Sequence, residues 1–307
     1  MIYTVTLNPS IDYNLTLEQL RMGELNRVDD AKMFSGGKGI NVSRVLKNLG
    51  VNSTALGFIG GFTGAFVEAD LKENGIYTNF VQVKEPTRIN VKLKTDVETE
   101  MNANGPQITE ENFSQLKKEI AKLEKGDLLV LSGSIPASLV KTTYEQLIEI
   151  AKENDVEIIV DAEGDLLKNT LPFQPFLIKP NHHELGGLFQ VDIQTAKEAI
   201  PYAKRLVDMG AKNVVVSLAG EGALFVNEKT VLLAKTPKGK LISSVGAGDS
   251  LVAGFLAKYI ETNNDKEAFR YAVATGSATA YSVGLAERET IDRLLNDTII
   301  YEEVNIG

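Results

Sequence analysis

Three apolar runs decide the fold: Leu128–Ser132 (LLVLS), Glu157–Asp161 (EIIVD) and 214–218 (VVVSL). None of them alternates apolar with polar residues, which is typical of strands covered on both faces. Outward from them, shorter patterns predict strands at 2–8, 54–59, 176–179, 223–227, 230–234 and 240–242. Amphipathic patterns predict helices at 39–49, 65–74, 110–124, 139–154, 195–209, 247–261, 266–282 and 288–296. This alternation predicts an α/β fold with a central, mostly parallel sheet and helices on both faces.

Two segments depart from this alternation. Residues 10–33 carry an alternating pattern (IDYNLTL) and a turn. Residues 85–104 include RINVKLKT and TEMNAN around a short polar turn, the pattern of a hairpin with one half-polar face. We therefore expect a single domain over residues 1–307, with two β insertions that build a small sheet acting as a lid.

The composition excludes several classes of protein. The 307 residues contain no cysteine, which excludes a disulfide scaffold, thiolate metal sites and thiol catalysis. Asp and Glu outnumber Lys and Arg by 41 to 32, so the net charge is −9, and we expect neither nucleic acid nor a membrane surface as a partner. No apolar run reaches the ~18–20 residues of a membrane helix, and the first residues lack a signal-peptide pattern. A cytoplasmic protein is expected.

The strongest local motif is GAGDS, residues 246–250, which stands before an amphipathic helix. Backbone N–H groups at a glycine-rich helix start bind anions. A carboxylate at Asp249 would lie beside such an anion, where it can act as a general base toward a hydroxyl that attacks a phosphate. The alternative is an acidic residue that only stabilises the helix dipole. The motif is not a dinucleotide fingerprint, because Leu251 stands where the third glycine is needed.

Two polar turns in the first 41 residues can bind a polyol. SGGKGIN (35–41) stands at a helix start and offers Lys38 and Asn41, but it lacks the first glycine and the Ser or Thr of a Walker A loop. NPSID (8–12) ends the first strand, where open parallel sheets bind ligands, and Asp12 can accept hydrogen bonds from two sugar hydroxyls. A helix cap with a solvated lysine and an Asx turn would explain the same residues without a ligand.

Two further motifs follow in the second half. In KPNHHE (179–184), Asn181 and Glu184 have the spacing of a capping box, and Glu184 is also a candidate for a magnesium–phosphate network. The two adjacent histidines point to different faces of a helix, so no histidine metal site is expected. In SLAGEG (217–222), a tight glycine turn either lets a nucleotide approach the backbone or is a plain hairpin turn.

The order of these motifs resembles the ribokinase-like sugar kinases, also called the PfkB carbohydrate kinases. NPSID, GGKGIN, the Thr87-Arg88 pair, KPNHHE, SLAGEG and GAGDS follow one another over essentially the whole chain. The resemblance implies a ribokinase-like fold with a small β lid, and phosphoryl transfer from ATP with Mg²⁺ to a sugar hydroxyl. The alternatives are a non-catalytic sugar-phosphate-binding regulator on the same fold, which the intact GAGD motif disfavours, and a dehydrogenase, for which no complete fingerprint is present.

The resemblance also implies roles for particular residues. It implies a catalytic base at Asp249 and an anion hole at Gly246, Ala247 and Gly248. It implies sugar binding by Asp12, Gly37, Lys38 and Asn41. It implies ATP binding by Lys179, Asn181, Ser217, Leu218, Ala219, Gly220, Glu221, Gly222, Gly248 and Ser277, with Glu184 acting indirectly on the metal.

Arg88 narrows the substrate class. Relatives that act on neutral sugars carry Thr-Gly where this chain has Thr87-Arg88, and an arginine can bind a phosphate already on the substrate through two hydrogen bonds. With Arg27 and Lys38, three cations are expected to converge in a chain of net charge −9, which implies an anionic substrate. The expected reaction is ATP-dependent phosphorylation of a ketohexose phosphate. Fructose 1-phosphate, giving fructose 1,6-bisphosphate, is the main hypothesis. Tagatose 6-phosphate and fructose 6-phosphate are alternative substrates, and a homodimer through the lid is expected.

Overall fold

The computed structural model describes residues 1–302 of the chain. Its strands are β1 (Ile2–Thr6), β2 (Ser10–Thr16), β3 (Asp30–Gly36), β4 (Ser53–Gly60), β5 (Tyr77–Val83), β6 (Arg88–Lys94), β7 (Glu98–Met101), β8 (Leu128–Ser132), β9 (Glu157–Asp161), β10 (Leu177–Ile178), β11 (Asn213–Ser217), β12 (Ala223–Asn227), β13 (Val231–Ala234) and β14 (Ile300–Glu302). Its α-helices are α1 (Lys38–Asn48), α2 (Gly61–Glu73), α3 (Glu110–Ile120), α4 (Thr143–Lys152), α5 (Gly164–Lys168), α6 (His182–Phe189), α7 (Ala196–Asp208), α8 (Ala247–Thr262), α9 (Asp265–Ala280) and α10 (Arg288–Leu295).

A ten-stranded sheet forms the body of the protein, in the order β14-β13-β12-β11-β10-β9-β8-β1-β4-β5. The strands from β11 to β5 are all parallel to their neighbours, whereas β12, β13 and β14 pair antiparallel at one edge. The predicted mostly parallel α/β fold is therefore confirmed. None of the helices within residues 1–302 combines the length and the hydropathy that crossing a bilayer requires.

The predicted strand at 240–242 is wrong. The N–H groups of Ile242 and Ser243 both donate to the carbonyl of Ala280, so this segment lies against the end of α9 and pairs with no strand. The sequence patterns also missed β5 and β14, which are the two edge strands of the large sheet. An edge strand has a neighbour on one side only, and β5 accordingly mixes buried with exposed residues (YTNFVQV).

The uninterrupted apolar strands arise because helices cover both faces of the sheet. In β8, Leu129 and Leu131 belong to one hydrophobic cluster with residues of α3, α4 and α7. The residue between them, Val130, belongs to a second cluster with residues of α1, α8 and α9. Successive side chains of a strand point to opposite faces, so every position of such a strand must be apolar.

Both β insertions join one four-stranded sheet, in the order β3-β2-β6-β7. Strands β2 and β6 are parallel, and their register places Asp12 beside Asn90. Because side chains alternate along a strand, Asp12, Asn90 and Lys92 share the face that lines a cleft above the large sheet. The other face carries apolar residues such as Tyr13 and Met33, which lie opposite each other on β2 and β3.

The chain order of the large sheet fixes where a ligand can bind. Strand β1 lies in the interior and pairs with both β4 and β8. From β1 the chain builds outward through β4 and β5, and then returns to β8 and builds the other half. In open α/β sheets, ligands bind beyond the carboxyl ends of the strands at such a reversal. The topology therefore predicts a site beyond Thr6 and Ser132.

Gly57 is the residue on which the close approach of β1 and β4 depends. Its φ is +144°, and a Cβ there would lie 2.0 Å from the carbonyl oxygen of Thr6. We expect Gly57→Ala to lower the free energy of unfolding by about 2 kcal/mol or more, through overpacking and a strained backbone.

The matched control is Gly187→Ala on α6, where the added Cβ meets nothing within 4 Å. This change should raise the free energy of unfolding by up to about 1 kcal/mol, because alanine favours a helix. Urea unfolding of the two variants measures both effects. Equal stabilities would show that β1 and β4 do not approach as closely as described.

Candidate functional site

A cleft of about 1090 Å³ lies where the topology predicts it. Thr6 and Ser132, at the carboxyl ends of β1 and β8, line it from the side of the large sheet. Asp12 and Asn90 line it from the polar face of the small sheet. The cleft therefore separates the two sheets, and loops from both can reach a bound molecule.

Most of the residues singled out in the sequence meet in this cleft. Those that line it are Asp12, Gly37, Lys38, Asn41, Arg88, Lys179, Asn181, Glu184, Ser217, Ala219, Gly220, Gly222, Gly246, Ala247, Gly248, Asp249 and Ser277. Three others do not line it. Leu218 packs into the hydrophobic core, and Glu221 and Arg27 are exposed outside the cleft. A substrate contact of Arg27 stays a prediction.

The turn that precedes α1 lets the small sheet approach the start of the helix. A Cβ at Gly36 would lie 2.5 Å from the carboxylate carbon of Asp12, so glycine is required for this contact. Gly37 follows with a φ of +129°, a backbone conformation that favours glycine. The helix then begins at Lys38, which brings the lysine side chain into the cleft.

Asp161, at the end of β9, holds two lysines in the cleft. Its Oδ1 lies 3.3 Å from Nζ of Lys38 and 3.3 Å from Nζ of Lys179. Asp161 is fully buried, and Oδ2 has no hydrogen-bond partner among residues 1–302. Burial would raise the pKa of Asp161, but the two ammonium groups outweigh it and hold the pKa below its usual value. The sequence patterns missed Asp161, although a polar residue at the carboxyl end of a buried strand could have signalled it.

Lys38 is one of the two cations that form ion pairs with Asp161. Burial opposes its charge, but Asp161, Glu184 and Asp249 together raise the pKa of Lys38 above its usual value. Lys38 is therefore a permanent cation in the cleft at neutral pH.

Asp249 lies in the first turn of α8 and is buried. Its Oδ2 accepts a hydrogen bond from Nδ2 of Asn41 at 2.8 Å. Burial, followed by the negative charge of Asp161, raises the pKa of Asp249 to about 6, against the opposing effects of Asn41 and the two lysines. A carboxyl group with this pKa is mostly ionised at neutral pH and still accepts a proton readily, as a general base must.

The start of α8 has backbone geometry suited to the anion cradle that the sequence predicts. Gly246 caps the helix in the left-handed region, with a φ of +77°, and no side chain caps the first turn. The N–H group of Ala247 donates to the carbonyl of Ser244 at 3.3 Å, a long hydrogen bond. A Cβ at Gly248 would lie 3.1 Å from Nζ of Lys179, so this glycine lets the ammonium group approach the helix start. First-turn N–H groups and a nearby lysine together suit a phosphate.

The start of α6 is a complete capping box. Oδ1 of Asn181 accepts from the N–H of Glu184, and Oε2 of Glu184 accepts from the N–H of Asn181, each at 2.8 Å. The capping role is therefore confirmed, and Oε1 of Glu184 is left for other partners on the cleft. The ring centroids of His182 and His183 lie 3.9 Å apart with the rings tilted by 37°, so the expectation that these side chains point to different faces is wrong. Residues 1–302 contain no group of three or more His, Cys, Asp or Glu arranged to hold a metal ion.

Asp12 is held by three donors of the small sheet. Its Oδ1 accepts from Oγ of Ser10 at 2.7 Å and from Nδ2 of Asn90 at 3.2 Å. Its Oδ2 lies 3.4 Å from Nζ of Lys92, which also lies 3.6 Å from Oε1 of Glu100. These contacts fix the orientation of the carboxylate before any ligand binds.

Arg88 lies on the same face of β6 as Asn90 and Lys92, because these residues alternate along the strand. The sequence singled out Arg88 alone, although the period of the strand could have identified the other two. The guanidinium of Arg88 donates to the carbonyls of Asn8 at 2.9 Å and Ala103 at 3.1 Å. Its buried Nε has no partner among the described residues. Burial lowers the pKa of Arg88 and Asp12 raises it, but a guanidinium stays charged in proteins.

A helix start that can bind a phosphate, next to a buried carboxylate that can accept a proton, suits the transfer of a phosphoryl group to a hydroxyl. The fold and the site thus define a phosphotransferase with an alcohol group as acceptor.

The comparisons with known proteins agree with this class. The model of the pfkB family of carbohydrate kinases matches residues 5–291, so the chain belongs to this family.

Two curated relatives and one solved structure show the similarity. The chain is 50% identical over 295 residues to the 1-phosphofructokinase of Bacillus subtilis (strain 168), which covers 96% of this chain and 97% of the relative. It is 37% identical to the D-tagatose-1-phosphate kinase of Bacillus licheniformis, over 95% of this chain and 97% of the relative. The phosphofructokinase-2 of Escherichia coli, solved in complex with substrates and products, superposes with a TM-score of 0.91 at 32% identity, over 96% of this chain and 98% of that one.

Proposed function

We propose that the chain transfers the γ-phosphoryl group of ATP to the 6-hydroxyl of fructose 1-phosphate, giving fructose 1,6-bisphosphate and ADP, in the cytoplasm. The observation that carries this proposal is the position of Asp249, buried at the start of α8 with its carboxylate bonded to Asn41. Asn41 belongs to the helix that follows the small sheet, and α8 supplies the anion cradle. The base therefore lies between the two halves of the cleft.

Residues of the chain can accept the proton of the sugar hydroxyl and stabilise the negative charge on the transferred phosphoryl group. Asp249 takes the proton of the sugar hydroxyl while the hydroxyl oxygen forms a bond to the γ-phosphorus. The bond from the γ-phosphorus to the bridging oxygen breaks, and ADP leaves with the electron pair. Negative charge on the transferred group is stabilised by the N–H groups at the start of α8 and by Lys179 beside Gly248.

A carboxylate on the cleft fits a magnesium ion. Oxygen ligands suit Mg²⁺, which binds proteins through one or two carboxylates and completes its shell with water and substrate phosphates. Glu184 lines the cleft, and its Oε1, which the capping box does not use, is a suitable oxygen. Bound with ATP, the ion would neutralise charge on the phosphates.

Arg88 supports a phosphorylated sugar as acceptor. Two of its N–H groups are used by backbone carbonyls, which leaves donors of the guanidinium for a phosphate. Asp12, already oriented by its neighbours, is left to accept hydrogen bonds from sugar hydroxyls. D-Tagatose 1-phosphate is a second candidate substrate, because the relative at 37% identity is named for it.

An assay of ADP release across sugar phosphates tests the function. The panel is fructose 1-phosphate, D-tagatose 1-phosphate, fructose 6-phosphate, tagatose 6-phosphate and ribose. We expect the highest kcat/KM on fructose 1-phosphate. A higher value on another member would replace the proposed substrate, and no ADP release on any of them would refute the kinase activity.

Asp249→Asn should reduce kcat by about 10²–10⁴-fold, because the variant cannot accept the proton. The affinity for the sugar phosphate should stay within a few fold. In the wild type, kcat/KM should fall as the pH drops below about 6, where the carboxylate of Asp249 takes a proton before any substrate binds. Initial rates between about pH 5 and about pH 9 measure both effects.

The matched control is Asp96→Asn, an exposed residue in the turn between β6 and β7, which should leave the rate unchanged. If Asp249→Asn keeps more than about a tenth of the wild-type kcat, Asp249 is not the base.

Arg88→Ala should raise KM for fructose 1-phosphate by roughly 10- to 150-fold, the loss expected for one charge-assisted hydrogen bond. KM for ATP should change little, because ATP binds on the other side of the reacting hydroxyl. Activity on free fructose should not change, since that sugar has no phosphate. Steady-state kinetics on the three substrates measure these effects.

Arg21→Ala removes an exposed arginine outside the cleft and is the control for the loss of surface charge. Equal losses on fructose 1-phosphate and on free fructose would mean that Arg88 only supports the small sheet.

We further propose that the small sheet is a lid over the cleft and that its outer face is the interface with a second copy of this chain. The face opposite Asp12 and Lys92 is apolar, and Met33, Ile89 and Met101 on it are 51%, 37% and 51% exposed. A second copy would cover these side chains. Closing the lid would exclude water from the transferred group.

Small-angle scattering in solution tests the lid and the dimer together. We expect a mass twice the 33.4 kDa of the chain, and a smaller radius of gyration when fructose 1-phosphate and a non-hydrolysable ATP analogue are both bound. Met33→Lys should give the mass of one chain, because a buried, unpaired ammonium opposes association. Met33→Leu is the control that keeps the dimer. A wild-type mass of one chain refutes the dimer, and an unchanged radius refutes closure.

A further inference from the structure

The segment of residues 235–245 joins β13 to α8 without a helix or strand of its own. It forms part of the cleft wall through Thr236 to Gly239 and through Leu241 and Val245. Leu241 is 66% exposed and Val245 is 39% exposed, and within 235–245 only Pro237 is buried, so burial of apolar side chains holds the segment at one point alone. Its position must therefore depend on a few polar and close contacts.

Those contacts converge on the end of α9. The hydroxyl of Tyr281 donates to the carbonyl of Pro237 at 2.7 Å. A Cβ at Gly239 would lie 2.2 Å from two ring carbons of Tyr281, so the backbone of the segment lies directly against the ring. The N–H of Ile242 donates to the carbonyl of Ala280, the residue before Tyr281, at 2.8 Å. The tyrosine side chain thus holds the first half of the segment, and the helix end holds the second half.

The segment also contacts the glycine turn that follows β11. Oγ1 of Thr236 donates to the carbonyl of Ala219 at 3.3 Å. Tyr281 lies one turn beyond Ser277, and the N–H of Tyr281 donates to the carbonyl of Ser277 at 3.0 Å. Ala219 and Ser277 both line the cleft, and the family resemblance assigns both to ATP binding. The clamped segment therefore contacts two elements that carry residues assigned to ATP binding.

We propose that Tyr281 is a positioning residue for the phosphoryl donor: its hydroxyl and ring hold residues 235–245 in the conformation that binds the nucleotide. This inference rests on the proposed function for the identity of the nucleotide. Burial raises the pKa of Tyr281, so the hydroxyl keeps its proton and remains a donor across the working pH range. The sugar-binding residues lie on other elements and do not depend on this contact.

Steady-state kinetics of Tyr281→Phe test the proposal. This change removes only the hydroxyl, so the fold is retained. We expect KM for ATP to rise about threefold to tenfold, the effect of one lost hydrogen bond, while KM for fructose 1-phosphate stays within about twofold. Gly239→Ala should raise KM for ATP in the same way, because the new methyl group pushes the segment away from the ring. A merely structural tyrosine would instead lower the melting temperature without changing KM for ATP.

The matched control is Tyr202→Phe on α7. Tyr202 packs against the ring of Phe189, its hydroxyl makes no hydrogen bond within residues 1–302, and it lies outside the cleft. This variant should keep both KM values of the wild type.

Trypsin provides a measurement that does not depend on catalysis. The segment contains Lys235, Lys238 and Lys240, after which trypsin cuts. Tyr281→Phe should be cut there several-fold faster than the wild type, and added ATP should slow cutting of the wild type. The proposal requires both the rise in KM for ATP and the faster cutting, so the absence of either overturns it. A wild type without kinase activity would refute the proposed function instead, and the trypsin comparison alone would then decide whether Tyr281 holds the segment.

Discussion

The site depends on one buried ion cluster, in which the carboxylate of Asp161 lies between two lysines from distant parts of the chain. Lys38 begins α1, and Lys179 follows β10. Without Asp161, the ammonium groups of Lys38 and Lys179 would have no carboxylate between them. Removal of one partner from a buried ion pair is strongly destabilising, because it leaves a buried charge without compensation. The cluster therefore fixes the start of α1 against the carboxyl ends of β9 and β10.

The same cluster helps to explain why two nearby carboxyl groups have different pKa values. Asp161 faces both lysines, and its pKa lies below the usual value. Asp249 is buried as well, and burial together with the negative charge of Asp161 raises its pKa to about 6, although the hydrogen bond from the neutral amide of Asn41 opposes this rise. Environments that separate the pKa values of neighbouring groups assign them different tasks. One carboxylate stays charged and holds cations, and the other can take up a proton.

Much of the architecture could be predicted from the sequence. Helices cover both faces of the large sheet, so each interior strand is an uninterrupted apolar run that is easily recognised. The run LLVLS was assigned to a strand with its observed bounds, Leu128–Ser132. The helix start at Ala247 and the capping box of Asn181 also follow from local rules, since the residues involved are close in sequence. Edge strands were missed because one of their sides has no neighbour, as in β5.

The site was predictable only in part, for a related reason. Motifs such as GAGDS show which residues are available, but not which of them meet. Lys38 and Asp161 are 123 positions apart, and only the completed sheet brings them together. Lys92 contacts Asp12 across two strands that are far apart in the chain. Glu221 belongs to the same motif as Gly220 and Gly222, yet it lies outside the cleft because the turn directs its side chain to solvent.

The interior position of β1 has a consequence for how the chain reaches its fold. Ile2 pairs with Ser53 on one side and with Leu128 on the other, so β1 is synthesised well before the second of its two partners. Pairings between distant segments are slow, because loop-closure entropy is lost before the contacts form. Until β8 arrives, the backbone N–H and C=O groups along one edge of β1 have no strand partner, and such unpaired edges promote aggregation during synthesis. The early chain is thus the stage at which assistance from chaperones would matter most.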